Sequence, residues 1–564
     1  MRQSRAALLA LAVVFGGAAG DYGPDPADGT TRFVGTGAFG DYLQGRFAVQ
    51  HGDLAVAADR LEAALTLEPG LPELTNQAFI ASVMAARPDA VRMAISLPDN
   101  PVARLVLSNH EAKAGNWRAA AGGFDTLPGG SSLVEALRPL LVAWAQFGGG
   151  QPDAAIAVLR TAVDAGRNRP VLTLHLALAD DLAGRRDEAT RLYAAARAEY
   201  GGLNLRLAQV LASWQVRSGD SDGAAALVSD LASGDGELAL ARRNLIQQAA
   251  APAVRNAADG LAEVYLAMAA TLRQQNANDL AQLLLRLSLD MRPDFAPALM
   301  LLSDIQDVGK LPEAALDTLA AASPSDALAP VMMLRRASLL DELDRTDEAA
   351  AVLETLAAEH PDRPEPLAQL GDILRRHSRF PEAVTAFDRA VARVGTPTRA
   401  NWPLFYERGI ALERAGQWPR AEADFLFALE LSPDQPGVLN YLGYAWADQG
   451  RNVDRARAMV ERAVKQRPEE GSYVDSLGWI LLLQGDKGGA LQQLERAVTL
   501  MPGDATINGH LGDALEAVGR KREAAFQWRS ALNLQPEPAE AARIEAKLTA
   551  LPPGEDAGPA PSIP

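Results

Sequence analysis

Six histidines are the side chains of this sequence best suited to acid-base or metal chemistry, and they are scattered along the chain. They are His51, His110, His175, His360, His377 and His510. His110 and Glu111 begin like a zinc-protease motif, but Ala114 stands where the second histidine should be. We find no Gly-x-Ser-x-Gly elbow, no phosphate loop ending in Gly-Lys-Ser/Thr and no dinucleotide-binding motif following a strand. The sequence therefore predicts that the chain is not an enzyme and needs no metal or cofactor.

Binding chemistry is more evident, because aromatic and hydrogen-bonding side chains recur beside a series of glycines in the C-terminal half. The glycines are Gly371, Gly409, Gly443, Gly478 and Gly512. Residues three before and one after each glycine share one helical face. At these positions stand Tyr406, Asn440, Tyr444, Asp475, Trp479 and Asp513. Rings bury side chains of a bound peptide and Asn or Asp pairs with its backbone, so this face predicts a peptide-binding groove.

Three arginines lie about one helical turn beyond these positions: Arg375, Arg376 and Arg414. Guanidinium groups bind carboxylates in a bidentate manner, so they are candidates for reading an acidic group on a partner. Two alternatives stay open. The arginines could form a solvated face, and Tyr444 and Trp479 could pack against the neighbouring repeat.

The elements that position these residues repeat with a fixed period. Alanines at intervals of 34 residues stand at Ala281, Ala315, Ala349 and Ala383, and the series continues at Ala421, Ala456, Ala490 and Ala524. A proline series keeps the same register at Pro433, Pro468, Pro502 and Pro536. This pattern predicts pairs of antiparallel helices, with small residues where two backbones approach and proline ending the second helix.

We count roughly a dozen such units, so the fold class is predicted as all-α, an α-solenoid. Divergent repeats occupy residues 38–233, the period breaks at 234–260 with room for an extra helix, and the clearer array spans 261–548. Residues 21–37 are predicted as a flexible linker, and 549–564 as a disordered tail rich in Pro, Gly and Ala.

Composition excludes several classes of function. The formal net charge of −17 opposes binding to nucleic acid or anionic lipid. The absence of cysteine excludes disulfides, thiolate metal sites and cysteine nucleophiles.

The N-terminus resembles an export signal. Arg2 and Arg5 precede an apolar run over residues 6–15 and small residues over 16–20, which predicts a cleaved signal peptide at 1–20 and a periplasmic location. Asp21 stands where a lipoprotein would carry its lipidated cysteine. Association with a membrane is therefore expected only through a partner.

The helix-pair unit resembles the tetratricopeptide repeat (TPR), which implies a right-handed TPR superhelix. The strings Leu439-Asn440-Tyr441-Leu442-Gly443-Tyr444 and Asp475-Ser476-Leu477-Gly478-Trp479 further resemble a family of exported bacterial TPR proteins common in alphaproteobacteria. That family includes an outer-membrane lipoprotein adaptor that presents cell-wall hydrolases to a periplasmic carboxyl-terminal-processing protease. The resemblance implies an adaptor near the outer membrane whose partner is another protein or extended peptide, such as a periplasmic protease.

Two other functions remain open. One is a structural subunit of an envelope complex for polysaccharide export or cytochrome maturation, held through its convex surface or N-terminal repeats. The other is an enzyme with an unrecognised site in the divergent repeats between Gly70 and Ser233.

Overall fold

The structure, a computed structural model, describes residues 37–129, 131–166, 168–233 and 236–551. Over these residues it contains 30 α-helices, one short 3₁₀ helix and no β-strand, which confirms the predicted all-α solenoid class. The predicted signal peptide, nearly all of the linker and most of the tail lie outside the described residues. The chain divides into two compact units, residues 1–360 and 361–564.

Nineteen helices belong to the described part of the first unit. They are α1 (Ala38–Gln50), α2 (Leu54–Leu67), α3 (Pro72–Met84), α4 (Asp89–Ala94), α5 (Pro101–Lys113), α6 (Trp117–Asp125), α7 (Ser132–Gly148), α8 (Pro152–Asp164), α9 (Arg169–Leu182), α10 (Arg186–Glu199), α11 (Leu205–Arg217), α12 (Ser221–Ser233), α13 (Gly236–Gln248), α14 (Ala257–Gln274), α15 (Asn278–Met291), α16 (Ala296–Val308), α17 (Pro312–Ala320), α18 (Ala329–Glu342) and α19 (Thr346–Glu359).

Eleven helices belong to the described part of the second unit, with the 3₁₀ helix Arg399–Asn401 between α21 and α22. They are α20 (Glu365–Arg376), α21 (Phe380–Arg393), α22 (Trp402–Arg414), α23 (Trp418–Leu431), α24 (Pro436–Asp448), α25 (Val453–Gln466), α26 (Gly471–Leu483), α27 (Lys487–Leu500), α28 (Ala505–Ala517), α29 (Lys521–Asn533) and α30 (Pro538–Thr549).

Consecutive helices pack as hairpins, each with a first and a second helix. In the second unit the first helices are α20, α22, α24, α26 and α28. Every alanine of the predicted 34-residue series is completely buried on a second helix. The repeat prolines stand two or three residues beyond the ends of α23, α25, α27 and α29, since proline cannot continue a helix.

The series glycines sit where the two helices of a hairpin approach most closely. A β-carbon on Gly409 would lie 2.6 Å from the Phe425 ring, and one on Gly512 would lie 2.4 Å from the Trp528 ring. A larger residue would separate the helices, so glycine at these positions fixes the spacing of the repeat.

In the first unit, residues 38–233 form the N-terminal array, whose first helices are α1, α3, α5, α7, α9 and α11. The hairpin α14–α15 folds back onto this array, because α14 packs against α7 and α9 while α15 packs against α3 and α5. All four contacted elements are first helices. The chain therefore covers the first-helix face of its own N-terminal array.

Helix α13 lies within the predicted period break and packs against α12 and α18. The break at 234–260 lies inside the first unit, whereas the two units divide between His360 and Pro361. The chain does not divide at the break because the folded-back hairpin α14–α15 packs the residues on both sides of the break into one core.

Candidate protein-binding groove

All nine residues predicted to contact a partner lie on first helices of the second unit. Arg375 and Arg376 are on α20, Tyr406 and Arg414 on α22, Asn440 and Tyr444 on α24, Asp475 and Trp479 on α26, and Asp513 on α28. We use groove face for the four of them that are half-buried and not charged: Tyr406, Asn440, Tyr444 and Trp479.

Tyr406 belongs to an aromatic cluster built from three successive first helices. Its ring centroid lies 6.1 Å from that of Tyr441, edge to face, and its hydroxyl approaches Gly437, as does the hydroxyl of Tyr473. Burial, with a further contribution from Glu407, raises the pKa of Tyr406 to about 12. The phenol therefore stays neutral and available as a hydrogen-bond donor at physiological pH.

The polar group predicted at Asp475 is already bound within the chain. His510 Nδ1 lies 3.0 Å from both carboxylate oxygens of Asp475, and the His510 ring stacks on Trp479 with 4.2 Å between centroids. Tyr444 completes the group, its ring 6.4 Å from that of His510. His510 thus joins three of the predicted residues into one cluster.

The charge state of His510 follows from two opposing effects. Burial alone lowers the pKa of a histidine, but the Asp475 carboxylate, with smaller contributions from Asp513 and Glu540, raises the pKa of His510 above its ordinary value. The buried ion pair therefore fixes the orientation of the imidazole on which Trp479 stacks.

Asp513 anchors the C-terminal helix. Its carboxylate accepts hydrogen bonds from Trp528 Nε1 at 2.8 Å, Arg543 Nη1 at 2.6 Å and Lys547 Nζ at 2.7 Å. Arg543 and Lys547 lie on α30, whose single buried residue is Ile544. This carboxylate is committed to holding α30 in place, and we exclude it from the groove face.

The three predicted arginines form ion pairs with the chain itself. Arg375 binds Asp372 at 2.7 Å and Glu407 at 3.0 Å, and Arg376 binds Asp372 at 3.2 Å. Arg414 lies 3.3 Å from Glu537 and stacks over the Phe380 ring. A carboxylate of a partner would have to compete with these pairs.

Two groove-face side chains keep unused hydrogen-bonding capacity. Asn440 Oδ1 and Trp479 Nε1 are shielded from solvent and have no hydrogen-bond partner. The Asn440 oxygen is an acceptor and the Trp479 N–H is a donor. A peptide backbone has one N–H donor and one C=O acceptor per residue, so it could pair with both.

Sequence reasoning missed His510, Tyr441 and Tyr473. The signal for His510 was its distance of 35 residues from Asp475, one repeat length, which places two side chains on neighbouring first helices. Within the described residues, no group of three or more His, Asp or Glu side chains is arranged to hold a metal ion. Among the described residues, no helix has both the length and the low polarity that a membrane span requires.

A family model for the tetratricopeptide repeat matches residues 334–397, 406–454 and 451–505. These three segments are therefore similar to tetratricopeptide repeats. TPR modules bind other proteins or peptides, and the matched segments contain Tyr406, Asn440, Tyr444 and Trp479.

Two curated relatives come from Pseudomonas aeruginosa. The TPR repeat-containing protein PA4667 is 30% identical over 200 residues, covering 35% of this chain and 33% of the relative. The TPR repeat-containing protein PA4299 is 32% identical over 158 residues, covering 27% of this chain and 61% of the relative. The chain thus spans a third of the first relative's length and about three fifths of the second's.

The solved structures that this chain resembles are more distant in sequence. The Cut9-Hcn1 hetero-tetramer of the APC/C matches with a TM-score of 0.37 and 14% identity, covering 91% of this chain and 96% of that chain. YrrB, described as a TPR protein with an unusual peptide-binding site, matches with a TM-score of 0.28 and 20% identity, covering 33% of this chain and 91% of that chain.

Proposed function

We propose that the chain is a non-catalytic periplasmic scaffold that binds a partner protein through the groove face of its second unit. The observation that carries this proposal is the set of half-buried aromatic rings on three successive first helices, at Tyr406, Tyr444 and Trp479. Aromatic anchors dominate the energetics of protein interfaces because they bury a large area with few rotatable bonds. The unused atoms of Asn440 and Trp479 add hydrogen-bonding capacity beside the rings.

In the N-terminal array, the face that corresponds to the groove face is covered by another part of the chain. Its first helices carry the hairpin α14–α15, so a partner would have to displace a packed part of the core. The second unit is therefore the better candidate for recruitment.

The partner that we propose is an extended segment of a periplasmic protein, with a carboxyl-terminal-processing protease and its cell-wall hydrolase substrates as the specific candidates. Two observations support this choice. The N-terminal twenty residues have the order of an export signal, and the strings around Gly443 and Gly478 resemble those of an adaptor for such a protease.

A crosslinking pull-down tests the proposal. The full chain is incubated with a periplasmic extract of the source bacterium, and captured proteins are quantified by mass spectrometry. The test variant combines Tyr406→Ala, Asn440→Ala, Tyr444→Ala and Trp479→Ala. The control combines Phe526→Ala and Leu534→Ala, which remove exposed apolar side chains of the same unit away from the groove face.

We expect the wild type and the control to capture a protease or cell-wall hydrolase, and the test variant to bind it about a hundredfold more weakly, because each of the three lost rings contributes about 1 kcal/mol or more and about 1.4 kcal/mol is a tenfold change. Circular dichroism must first show equal helicity. Equal capture by the test variant would show that the groove face is not the binding surface, and the absence of any such enzyme from the wild-type sample would refute recruitment.

A second candidate function is a structural subunit of an envelope complex, and one observation favours it. Helix α1 exposes Phe39, Leu43 and Phe47 at four-residue spacing, with 73%, 50% and 62% of each side chain accessible. Terminal repeats of a solenoid normally present a polar outer face, so an apolar stripe at this end suits a permanent contact.

The two candidates respond differently to substitution. If the chain is a structural subunit, Phe39→Glu combined with Phe47→Glu releases it from its complex, whereas the groove-face variant stays bound in high salt. Release by the groove-face variant alone would exclude this second function.

A further inference from the structure

The first unit contains a cleft of about 1160 Å³ between its N-terminal helices and the helices α15 to α17. The cleft lies in the first unit and the groove face in the second, so substitutions in the cleft leave the groove residues unchanged. Its lining combines buried apolar side chains, among them Val83, Val106 and Leu299, with a few polar groups. This mixture is typical of ligand sites, in which apolar walls provide burial and a few polar atoms provide orientation.

Among the arginine and lysine side chains that line this cleft, Arg286 on α15 is the one without a counterion. No carboxylate of the described residues forms an ion pair with it, and its Nε atom is shielded from solvent without a hydrogen-bond partner. Burial lowers the pKa of Arg286 to about 10, so the guanidinium still carries its charge at neutral pH. The side chain is partly exposed, so the cost of its missing counterion is moderate, and a bound anion would supply the contact that Nε lacks.

The other cations that line the cleft are already neutralised. Lys113 pairs with Asp290 at 2.5 Å, and Arg87 pairs with Asp59 at 2.8 Å. Arg286 therefore supplies the positive charge that remains available to a ligand.

Gln306 provides a second unused donor in the same cleft. Its side chain is 1% exposed, and its Oε1 accepts a hydrogen bond from Thr318 at 2.7 Å, but its Nε2 has no acceptor. Among the described lining residues, the buried side-chain atoms without partners are thus both donors, on Arg286 and Gln306. A ligand that pairs with both donors must therefore carry hydrogen-bond acceptors.

The acidic side chains of the cleft limit how much negative charge that ligand carries. Glu313 and Asp317 line it from α17, and Asp53 and Asp290 line it as well, all four exposed to solvent. They would repel a polyanion such as a nucleic acid, whereas a single carboxylate near Arg286 tolerates them.

We propose that this cleft binds one carboxylate of a peptide, held by Arg286 and Gln306, with an adjacent apolar side chain against Leu299 and Val106. The carboxylate comes from the end of a chain or from an Asp or Glu side chain. A peptide fits better than an acyl chain, because its amide groups pair with the polar lining that a hydrocarbon would leave unsatisfied.

Three random pentapeptide pools, incubated with the full chain and recovered by rapid gel filtration, test the proposal. The first pool has free carboxyl termini and no Asp or Glu. The second has amidated termini and one Glu, and the third has amidated termini and no acidic residue. The proteins are wild type, Arg286→Gln and the control Arg336→Gln, whose arginine also has an unpartnered Nε but does not line the cleft.

We expect the wild type and Arg336→Gln to retain the first or second pool above the third, and Arg286→Gln to retain about tenfold less, since a charge-assisted bidentate contact is lost. Retention of the first pool identifies a chain terminus and retention of the second an acidic side chain. Equal retention of all three pools, or undiminished retention by Arg286→Gln, would overturn the proposal.

A second variant guards against misfolding. Gln306→Met removes the Nε2 donor at similar volume and should reduce retention several-fold. Arg286 has no ion pair to lose, so Arg286→Gln should melt no lower than the wild type. If Gln306→Met retains the acidic pools as well as the wild type does, the assignment of the cleft is wrong.

Discussion

Gly260 lies directly against the indole ring of Trp144. A β-carbon on Gly260 would stand 2.2 Å from Trp144 Cδ2, closer than any real side-chain contact, and the ring itself is only 1% exposed. Gly260 belongs to α14 and Trp144 to α7, so this contact joins the folded-back hairpin to the N-terminal array. Nearby, the hydroxyl of Tyr265 donates to Asn109 Oδ1 at 2.9 Å.

Gly260→Ala should therefore destabilise the first unit. The new methyl group must push the rigid indole aside, which costs about 1–3 kcal/mol in a packed core and exceeds the gain in helix propensity of about 1 kcal/mol. Thermal unfolding measures the change. Gly122→Ala is the matched control, because its β-carbon meets open space on a helix of the same unit and should raise stability slightly. Equal shifts in melting temperature for the two variants would show that the contact of Gly260 with Trp144 does not contribute to stability.

His175 should make the first unit sensitive to acid. It is buried, its Nδ1 accepts a hydrogen bond from Trp144 Nε1 at 2.9 Å, and burial lowers its pKa to about 3. Because the folded pKa lies below the unfolded value, its contribution is complete above about pH 6.5 and is lost as the pH falls toward 3. At pH 5 the loss relative to pH 7 is about 2 kcal/mol.

The difference in unfolding free energy between wild type and His175→Gln, measured at both pH values, isolates this contribution. Glutamine still accepts from Trp144 but does not titrate. His377→Gln, at the exposed end of α20, serves as the control. A wild-type profile that remains parallel to that of His175→Gln would contradict the prediction.

Because of His510, we expect the stability of the second unit to depend on pH in the opposite direction. Burial lowers its pKa, but Asp475, with Asp513 and Glu540, reverses the sign and raises it above the ordinary value. A raised folded pKa means that the stabilisation is complete below the unfolded pKa of about 6.5 and is lost as the pH rises through the folded value. Thermal melts from about pH 6 to pH 8 should show stability declining in the wild type and less so in His510→Gln and Asp475→Asn. A steeper decline in either variant would rule out this ion pair.

Asp513→Ala should loosen α30. The substitution removes three hydrogen bonds, and Arg543 and Lys547 are about a third exposed, so the loss is smaller than for a fully buried pair, about 1–3 kcal/mol. Hydrogen exchange over residues 538–549 should accelerate. Glu537→Gln, which alters an exposed pair with Arg414, should leave exchange unchanged. Unaltered protection of α30 in Asp513→Ala would show that the apolar contacts of Ile544 and Leu548 hold the helix without these bonds.

The repeated features of the fold were predictable because each occurs many times in the sequence. One alanine at a helix contact is weak evidence, but the same alanine at Ala349, Ala383 and Ala490 in a fixed frame defines where every hairpin closes. The glycine frame likewise placed Tyr444 and Trp479 on the same face of successive first helices.

Features that occur once could not be predicted in the same way. The contact of α14 with α7 depends on how many repeats intervene and how far each one rotates, which no local pattern encodes. Asp513 was assigned to the correct helix, but its partners Arg543 and Lys547 come from α30, a helix that stands outside the repeat frame. Side-chain pairing across helices decides such roles, and a periodic pattern does not reveal it.

The folded-back hairpin also determines how each half of the molecule should gain and lose its structure. In a simple solenoid every hairpin depends on its neighbours alone, so unfolding can start at one end and advance repeat by repeat. The second unit is built in this manner. In the first unit Tyr265 and Asn109 are 156 residues apart, so closing that contact requires a long loop to be ordered first. The first unit should therefore fold late and slowly, and then unfold in a single cooperative step.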